Sequence, residues 1–201
     1  MNGDGYADII IGAPYYDSGQ RDEGRAFIYL GSETGPGTPA WMAESDQSDA
    51  KFGIAVGSAG DVNGDGYADV IVGAAEYDQT QVDEGKAFVY HGSAAGVATS
   101  PAWTARGAQA GAELGRSVGT AGDVNGDGYA DAIIGMPEYD NPQKNEGLVL
   151  IFLGSPAGLK DWWAADWMVD GQQVGAGLGK AVGQEGDVNG DGYAEDRKSV
   201  V

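Results

Sequence analysis

Side-chain oxygens spaced two residues apart on a glycine-rich turn are the chemistry-bearing feature of this chain. DVNGDGYAD occupies 61–69 and returns at 123–131; DVNGDGYAE stands at 187–195, and the chain opens with MNGDGYAD. In the 61–69 copy, Asp61, Asn63 and Asp65 hold the first, third and fifth positions. On a tightly turning backbone such oxygens converge on one point, as in the first half of an EF-hand loop. Gly66 permits the sharp turn, the Tyr67 carbonyl can add a donor, and Asp69 at the ninth position can close the shell. Every donor is a hard oxygen, with no His or Cys, which points to calcium over zinc or copper. Magnesium fits less well, because it demands tight octahedral geometry and keeps its waters. An EF-hand proper would carry a glutamate at the twelfth position and flanking helices. Here Val72 stands there, inside an apolar run, so the loop reads as a calcium turn joining two strands. The competing reading is a solvated acidic turn, since Asn-Gly and Asp-Gly are good hairpin turns in any protein. Recurrence at one fixed place, and the mutual repulsion of crowded carboxylates without a counter-ion, favour the metal. Its expected role is structural: it pins each hairpin.

The elements that must hold these loops also repeat, with a period of about 60 residues. FGIAVG (52–57), LGRSVG (114–119) and LGKAVG (178–183) precede the acidic loop. IIIGAPYYD (9–17), VIVGAAEYD (70–78) and AIIGMPEYD (132–140) follow it, and then EGRAFIYLGS (23–32), EGKAFVYHGS (84–93) and EGLVLIFLGS (146–155). Trp41, Trp103 and Trp167 close the units. Length varies only between Gly31 and Trp41, Gly92 and Trp103, and Gly154 and Trp167, as expected of one free surface loop. Each unit reads as four short strands rich in Val, Ile, Phe, Tyr and Trp between glycine clusters. The near-continuous apolar runs suit strands covered on both faces. One such sheet cannot cover itself, and stacking copies radially solves this as a β-propeller with one blade per repeat. The expected fold class is all-β, a propeller fragment of about three and a half four-stranded blades.

Composition bounds the function. The chain has 201 residues, 36 of them glycine, a formal net charge of −20 and no cysteine. So acidic a surface repels nucleic acid and anionic membranes. No apolar run approaches the ~20 residues of a membrane span, so direct membrane insertion is not expected. GRSVG (115–119) matches the G-x-S-x-G elbow of esterases, but Ser117 occupies the position of Ala55 and Ala181 in the other repeats. The single histidine, His91, stands where Leu30 and Leu153 do. The segment therefore reads as an inner strand, and the chain as non-catalytic.

These co-spaced motifs (FG, GDVNGDGYADVIVGA, GKAFVYHGS, and GAP at 12–14) resemble the FG-GAP repeat of integrin α-subunit propellers and of bacterial surface and secreted proteins. The resemblance covers residues 1–195 and implies a ring of seven blades, with about one Ca2+ per complete hairpin loop. It carries over Asp61, Asn63, Asp65, Tyr67 and Asp69 as ligands; likewise Asp123, Asn125, Asp127, Tyr129 and Asp131; and Asp187, Asn189, Asp191, Tyr193 and Glu195. Asn2, Asp4, Tyr6 and Asp8 form the first site, which lacks the leading Asp and is expected to be weak or empty. Blades are expected at about 1–45, 51–107, 113–168 and 177–195, the last truncated. The tail 196–201 breaks the pattern and reads as non-native, and Met1 stands where the other copies carry valine. A partner, protein or carbohydrate, is implied on the face opposite the calcium loops. There the loops 14–23, 75–84 and 137–146 vary at Arg21, Gln81 and Lys144. Trp162 and Trp163, in the variable connection, are either a contact patch or outer-strand packing; packing is the favoured reading. The repeated Tyr-Asp pairs at 16–17, 77–78 and 139–140 read as parts of the blade. The expected setting is extracellular, either as an adhesion and recognition module or as a non-catalytic propeller attached to a secreted enzyme.

Overall fold

The structure is a computed structural model and describes residues 1–183. The acidic copy at 187–195, with Asp187, Asn189, Asp191, Tyr193 and Glu195, and the 196–201 tail lie outside the described residues. Among the described residues, eleven strands form three antiparallel sheets. The first contains β1 (Ile9–Ala13), β2 (Arg25–Tyr29) and β3 (Trp41–Glu44). The second contains β4 (Phe52–Gly60), β5 (Asp69–Ala74), β6 (Lys86–Tyr90) and β7 (Trp103–Arg106). The third contains β8 (Ser117–Gly122), β9 (Asp131–Met136), β10 (Leu148–Phe152) and β11 (Trp167–Asp170). Each sheet is a meander of neighbours in chain order. This is the all-β, part-propeller architecture that the repeat predicts.

The continuous apolar strands have a direct explanation. Successive side chains of a strand point to opposite faces. In β5, Val70 and Val72 enter a core shared with Ala26, Ile28, Trp41 and Phe52 of the first repeat's side. Ile71 between them enters a second core, with Leu114, Ile134 and Phe152. Both faces of the middle sheet are thus interiors, and every residue of β5 is buried. Each fully buried side chain of this size contributes roughly 1.5–3 kcal/mol.

The sheets meet through a repeated joint. Gly24, Gly85 and Gly147 bridge in parallel to Phe52, Leu114 and Leu178 of the following repeat. Beside each bridge, two backbones nearly touch. A Cβ on Gly12, Gly73 or Gly135 would lie 1.9 Å from the carbonyl oxygen of Gly53, Gly115 or Gly179. Only glycine permits that approach, which accounts for the glycines of both FG and GAP. The outer-strand tryptophans complete the joint: the Trp41 indole N–H donates to the Ala98 carbonyl (2.8 Å), and Trp103 donates to that of Lys160 (2.5 Å), each in the next repeat. Their rings stand edge-on to Tyr90 and Phe152.

Candidate metal centre

The hairpin between β4 and β5 is held by its own acidic side chains. Asp61 accepts the amides of Gly64 (2.7 Å) and Asp65 (3.1 Å) on Oδ1 and that of Gly66 (2.8 Å) on Oδ2. Asn63 Oδ1 accepts the Asp65 amide, and Asp65 Oδ1 accepts the Tyr67 amide, both at 3.0 Å. Gly64 and Gly66 have φ of +74° and +89°, the left-handed backbone that the sharp turn needs. Asp123, Asn125, Asp127 and Tyr129 repeat the pattern bond for bond between β8 and β9. At the N-terminus Asn2 and Asp4 make the same turn, with Asp4 accepting the Tyr6 amide at 3.0 Å.

Asp69 and Asp131 behave differently from the rest of the loop. Both are fully buried. Asp69 accepts the amides of Val62 (3.0 Å) and Gly92 (2.8 Å), tying the hairpin to the end of β6. Asp131 ties Val124 and Gly154 in the same way, and Asp8 holds Gly31. Burial pushes the Asp69 and Asp131 carboxyls above the usual range, against the opposing pull of those amides. A raised carboxyl stabilises the fold below its unfolded pKa and loses that contribution as pH rises through its folded pKa. At neutral pH the ionised form is therefore costly, a cost that a nearby cation offsets. The donor set is all oxygen, clustered on one turn, and fits a hard cation such as calcium. Asp61 and Asp65 bond the loop's own amides, whereas Asp69 bonds those of Val62 and Gly92. Among the described residues, the carboxylate triad whose oxygens lie within 4.8 Å is instead Glu23, Glu44 and Asp46, at the other end of the sheet. There Arg25 is already the counter-ion: its guanidinium binds Glu44, with Nε at 2.8 Å.

The acidic loops also bind neighbouring repeats to each other. The Tyr67 ring lies against Gly3 and the Tyr129 ring against Gly64, so close that a Cβ on Gly64 would sit 2.4 Å from it. The Ala130 amide donates to the Asp61 carbonyl, and that of Ser155 to the Val62 carbonyl, both at 3.0 Å. Sequence reasoning gave the tyrosine only a backbone role. The signal for more was available, since the tyrosine recurs in every copy while only its carbonyl was accounted for.

The loops named as a partner face project from the opposite end of the sheets. Arg21, Gln81 and Lys144 are exposed, and Arg21 pairs with Asp49. The Tyr-Asp pairs organise these loops: Asp17, Asp78 and Asp140 accept the amides of Asp22, Asp83 and Asn145 at 2.6–2.7 Å. Trp162 lies under the Arg106 guanidinium, 4.5 Å from ring centre, and against the second core. Trp163 stacks edge-on to it and is 67% exposed. Ser117 donates its hydroxyl to the Gly179 carbonyl at 2.6 Å, another contact between repeats. Sequence reasoning missed one more set: the buried glutamates Glu23, Glu84 and Glu146, which end the same loops.

With this geometry in view, the comparisons with known proteins are decisive. An FG-GAP-like repeat model matches residues 1–72 and 61–134. The chain belongs to the FG-GAP repeat family. It is 37% identical over 139 residues to integrin alpha-7 of Rattus norvegicus, an alignment spanning 67% of this chain and 12% of that protein. To integrin alpha-6 of Homo sapiens it is 37% identical over 136 residues, covering 67% and 11%. To the phosphatidylinositol-glycan-specific phospholipase D of Bos taurus it is 33% identical over 194 residues, covering 89% and 23%. The chain thus spans less than a quarter of the length of each of these FG-GAP relatives. Among the described residues no helix is long and apolar enough to cross a membrane.

Proposed function

We propose that these FG-GAP repeats form a calcium-stabilised, extracellular recognition propeller, with seven blades in the complete ring. Calcium is held in the hairpin loops by Asp61, Asn63, Asp65, the Tyr67 carbonyl and Asp69, and by Asp123, Asn125, Asp127, the Tyr129 carbonyl and Asp131. The loop at Asn2, Asp4, Tyr6 and Asp8 makes the same turn and is a third candidate of this kind. The observation that carries this reading is the bond-for-bond repetition of the same inward-folded oxygen turn between β4 and β5 and between β8 and β9. Bound calcium supplies charge neutralisation and a fixed centre for the turn. The chain's own part is to present the oxygens, to hold Asp69 and Asp131 on backbone amides, and to pass each loop's rigidity to the next repeat through Tyr67 and Tyr129. A protein partner is expected on the opposite face, around Arg21, Gln81 and Lys144.

The test is calorimetric titration with calcium, alongside thermal melts in calcium and in chelator. Extracellular modules bind calcium at about 10⁻⁴–10⁻³ M. Asp61→Asn and Asp123→Asn should each remove one site and shrink the calcium-induced rise in melting temperature. Full calcium response in the double variant would refute the assignment. A second reading, a propeller carried by a secreted enzyme, is favoured by the phospholipase D relative, whose alignment covers 89% of this chain. The sequence adjoining the repeats in the gene separates the two: a catalytic domain there supports the enzyme, and stalk domains support adhesion.

A further inference from the structure

The buried glutamates at the other end of the sheets do not share one environment. Glu84 accepts the amides of Gln79 (2.9 Å), Thr80 (2.6 Å) and Ala108 (3.1 Å), and the Thr80 hydroxyl. Glu23 accepts the Ser18 amide. Glu146 is fully buried, yet among the described residues neither carboxylate oxygen has a hydrogen-bond partner, and Oδ1 of the nearby Asp170 is buried and unpartnered too. One substitution removes two of those donors: Pro142 stands where Thr80 does, and proline has neither an N–H nor a hydroxyl to give; a third, the Asn141 amide in the place of Gln79, turns to the Gln143 carbonyl.

The counter-charge is missing as well. The first residue of β2, β6 and β10 pairs with the last of β3, β7 and β11. These pairs are Arg25 with Glu44, Lys86 with Arg106, and Leu148 with Asp170. In the first two repeats this pair puts at least one cation beside the buried glutamate. In the third it puts none and adds a carboxylate. Glu146 and Asp170 line a cavity of about 290 Å³ together with Asn141, Pro142, Gln143 and Gln172. A buried, unpartnered Glu146 carboxylate beside the buried Oδ1 of the half-buried Asp170 is costly unless an opposite charge joins them.

We propose that this cavity is a calcium site of a second kind, with Glu146 and Asp170 as the carboxylate ligands. The side-chain carbonyls of Asn141, Gln143 and Gln172 supply further hard oxygens. The cavity has room for an ion with several waters, in keeping with the six to eight oxygens that calcium takes. The bound ion does what Arg25 does in the first repeat.

The test is calorimetric calcium titration of the full chain, with melts in chelator, comparing wild type with Asp170→Arg, Glu146→Gln and the Asp61→Asn/Asp123→Asn pair. Asp170→Arg restores a side chain found in the second repeat. It should bind one calcium fewer than wild type and melt higher in chelator by ~2–4 °C. Glu146→Gln should lose the same site. The hairpin pair should retain it, so this proposal and the hairpin assignment fail separately. An unchanged calcium count in Asp170→Arg would overturn the proposal. So would a higher melting point with an unchanged count, which means that the added cation relieves the carboxylates without displacing an ion. If Glu146→Gln does not fold, Asp170→Arg alone decides.

Discussion

Residue types set the chemistry here, but their surroundings decide how each is used. Asp61 and Asp69 belong to one nonapeptide; the first organises a solvated turn, while the second is a buried strut between the hairpin and Gly92. The turn was legible in the sequence because it is local: side chains at positions one, three and five reach the turn's own amides whatever the fold. The strut was not, because Gly92 lies in a different loop, beyond β6. Glu84 was illegible for the same reason, since one of its donors, Ala108, lies 24 residues away. Burial alone would raise the Glu84 carboxyl, but the Thr80 amide and hydroxyl and the neighbouring loop amides outweigh it and hold it below the usual range. A lowered carboxyl stabilises the fold above its unfolded pKa and loses that contribution as pH falls through its folded value. Glu84→Gln should therefore cost about 1–3 kcal/mol at pH 7. The gap from wild type should narrow as pH falls below about 4.3, the unfolded glutamate value. Urea unfolding of both proteins across pH 3–7 measures this, and a pH-independent gap would contradict it.

Strands were largely legible, because apolar runs between glycine clusters have few other uses. The joints between them were less so. The glycines of FG and GAP could be read as turn residues, whereas the structure sets them backbone to backbone across two repeats. Gly73→Ala should destabilise by about 3 kcal/mol or more, since the new methyl meets the Gly115 carbonyl and neither backbone can yield freely. Gly57→Ala, whose methyl would find its nearest atom at 3.6 Å, should be tolerated; denaturant melts of the two variants separate a packing cost from a general one. The tryptophans give a second contrast. Trp103→Phe removes the hydrogen bond to Lys160 and should cost about 1 kcal/mol. Trp167 is 51% exposed, and Trp167→Phe should fall within about 0.5 kcal/mol of wild type. Equal losses would show that the indole N–H is irrelevant to the joint. The bidentate amides of Gln47 and Gln109, each closing on the backbone of the next repeat at Asp78 and Asp140, belong to the same seam. Nothing in the local sequence marks them, because exposed glutamines are common.

Among the described residues, the middle sheet has two covered faces and the outer sheets have one each. Ile9 and Ile11, which stand where Val70 and Val72 do, are 44% and 47% exposed, and Trp167 on β11, paired with Ile151 on the third sheet's outer face, is 51% exposed. Apolar faces built to receive another sheet invite self-association, while a net charge of −20 opposes it. Light scattering of this chain should therefore report masses above the 20.6 kDa of one chain in ~1 M salt, where charge is screened within about 3 Å. A single-chain mass at every salt concentration would contradict this. The same joint of paired glycines, parallel bridge and indole staple recurs at successive seams with its geometry unchanged. Each repeat thus presents a socket to the one before and a plug to the one after, and the two are interchangeable along the array. A gene of this kind can gain or lose a whole repeat by unequal crossing-over without disturbing the fit of those that remain.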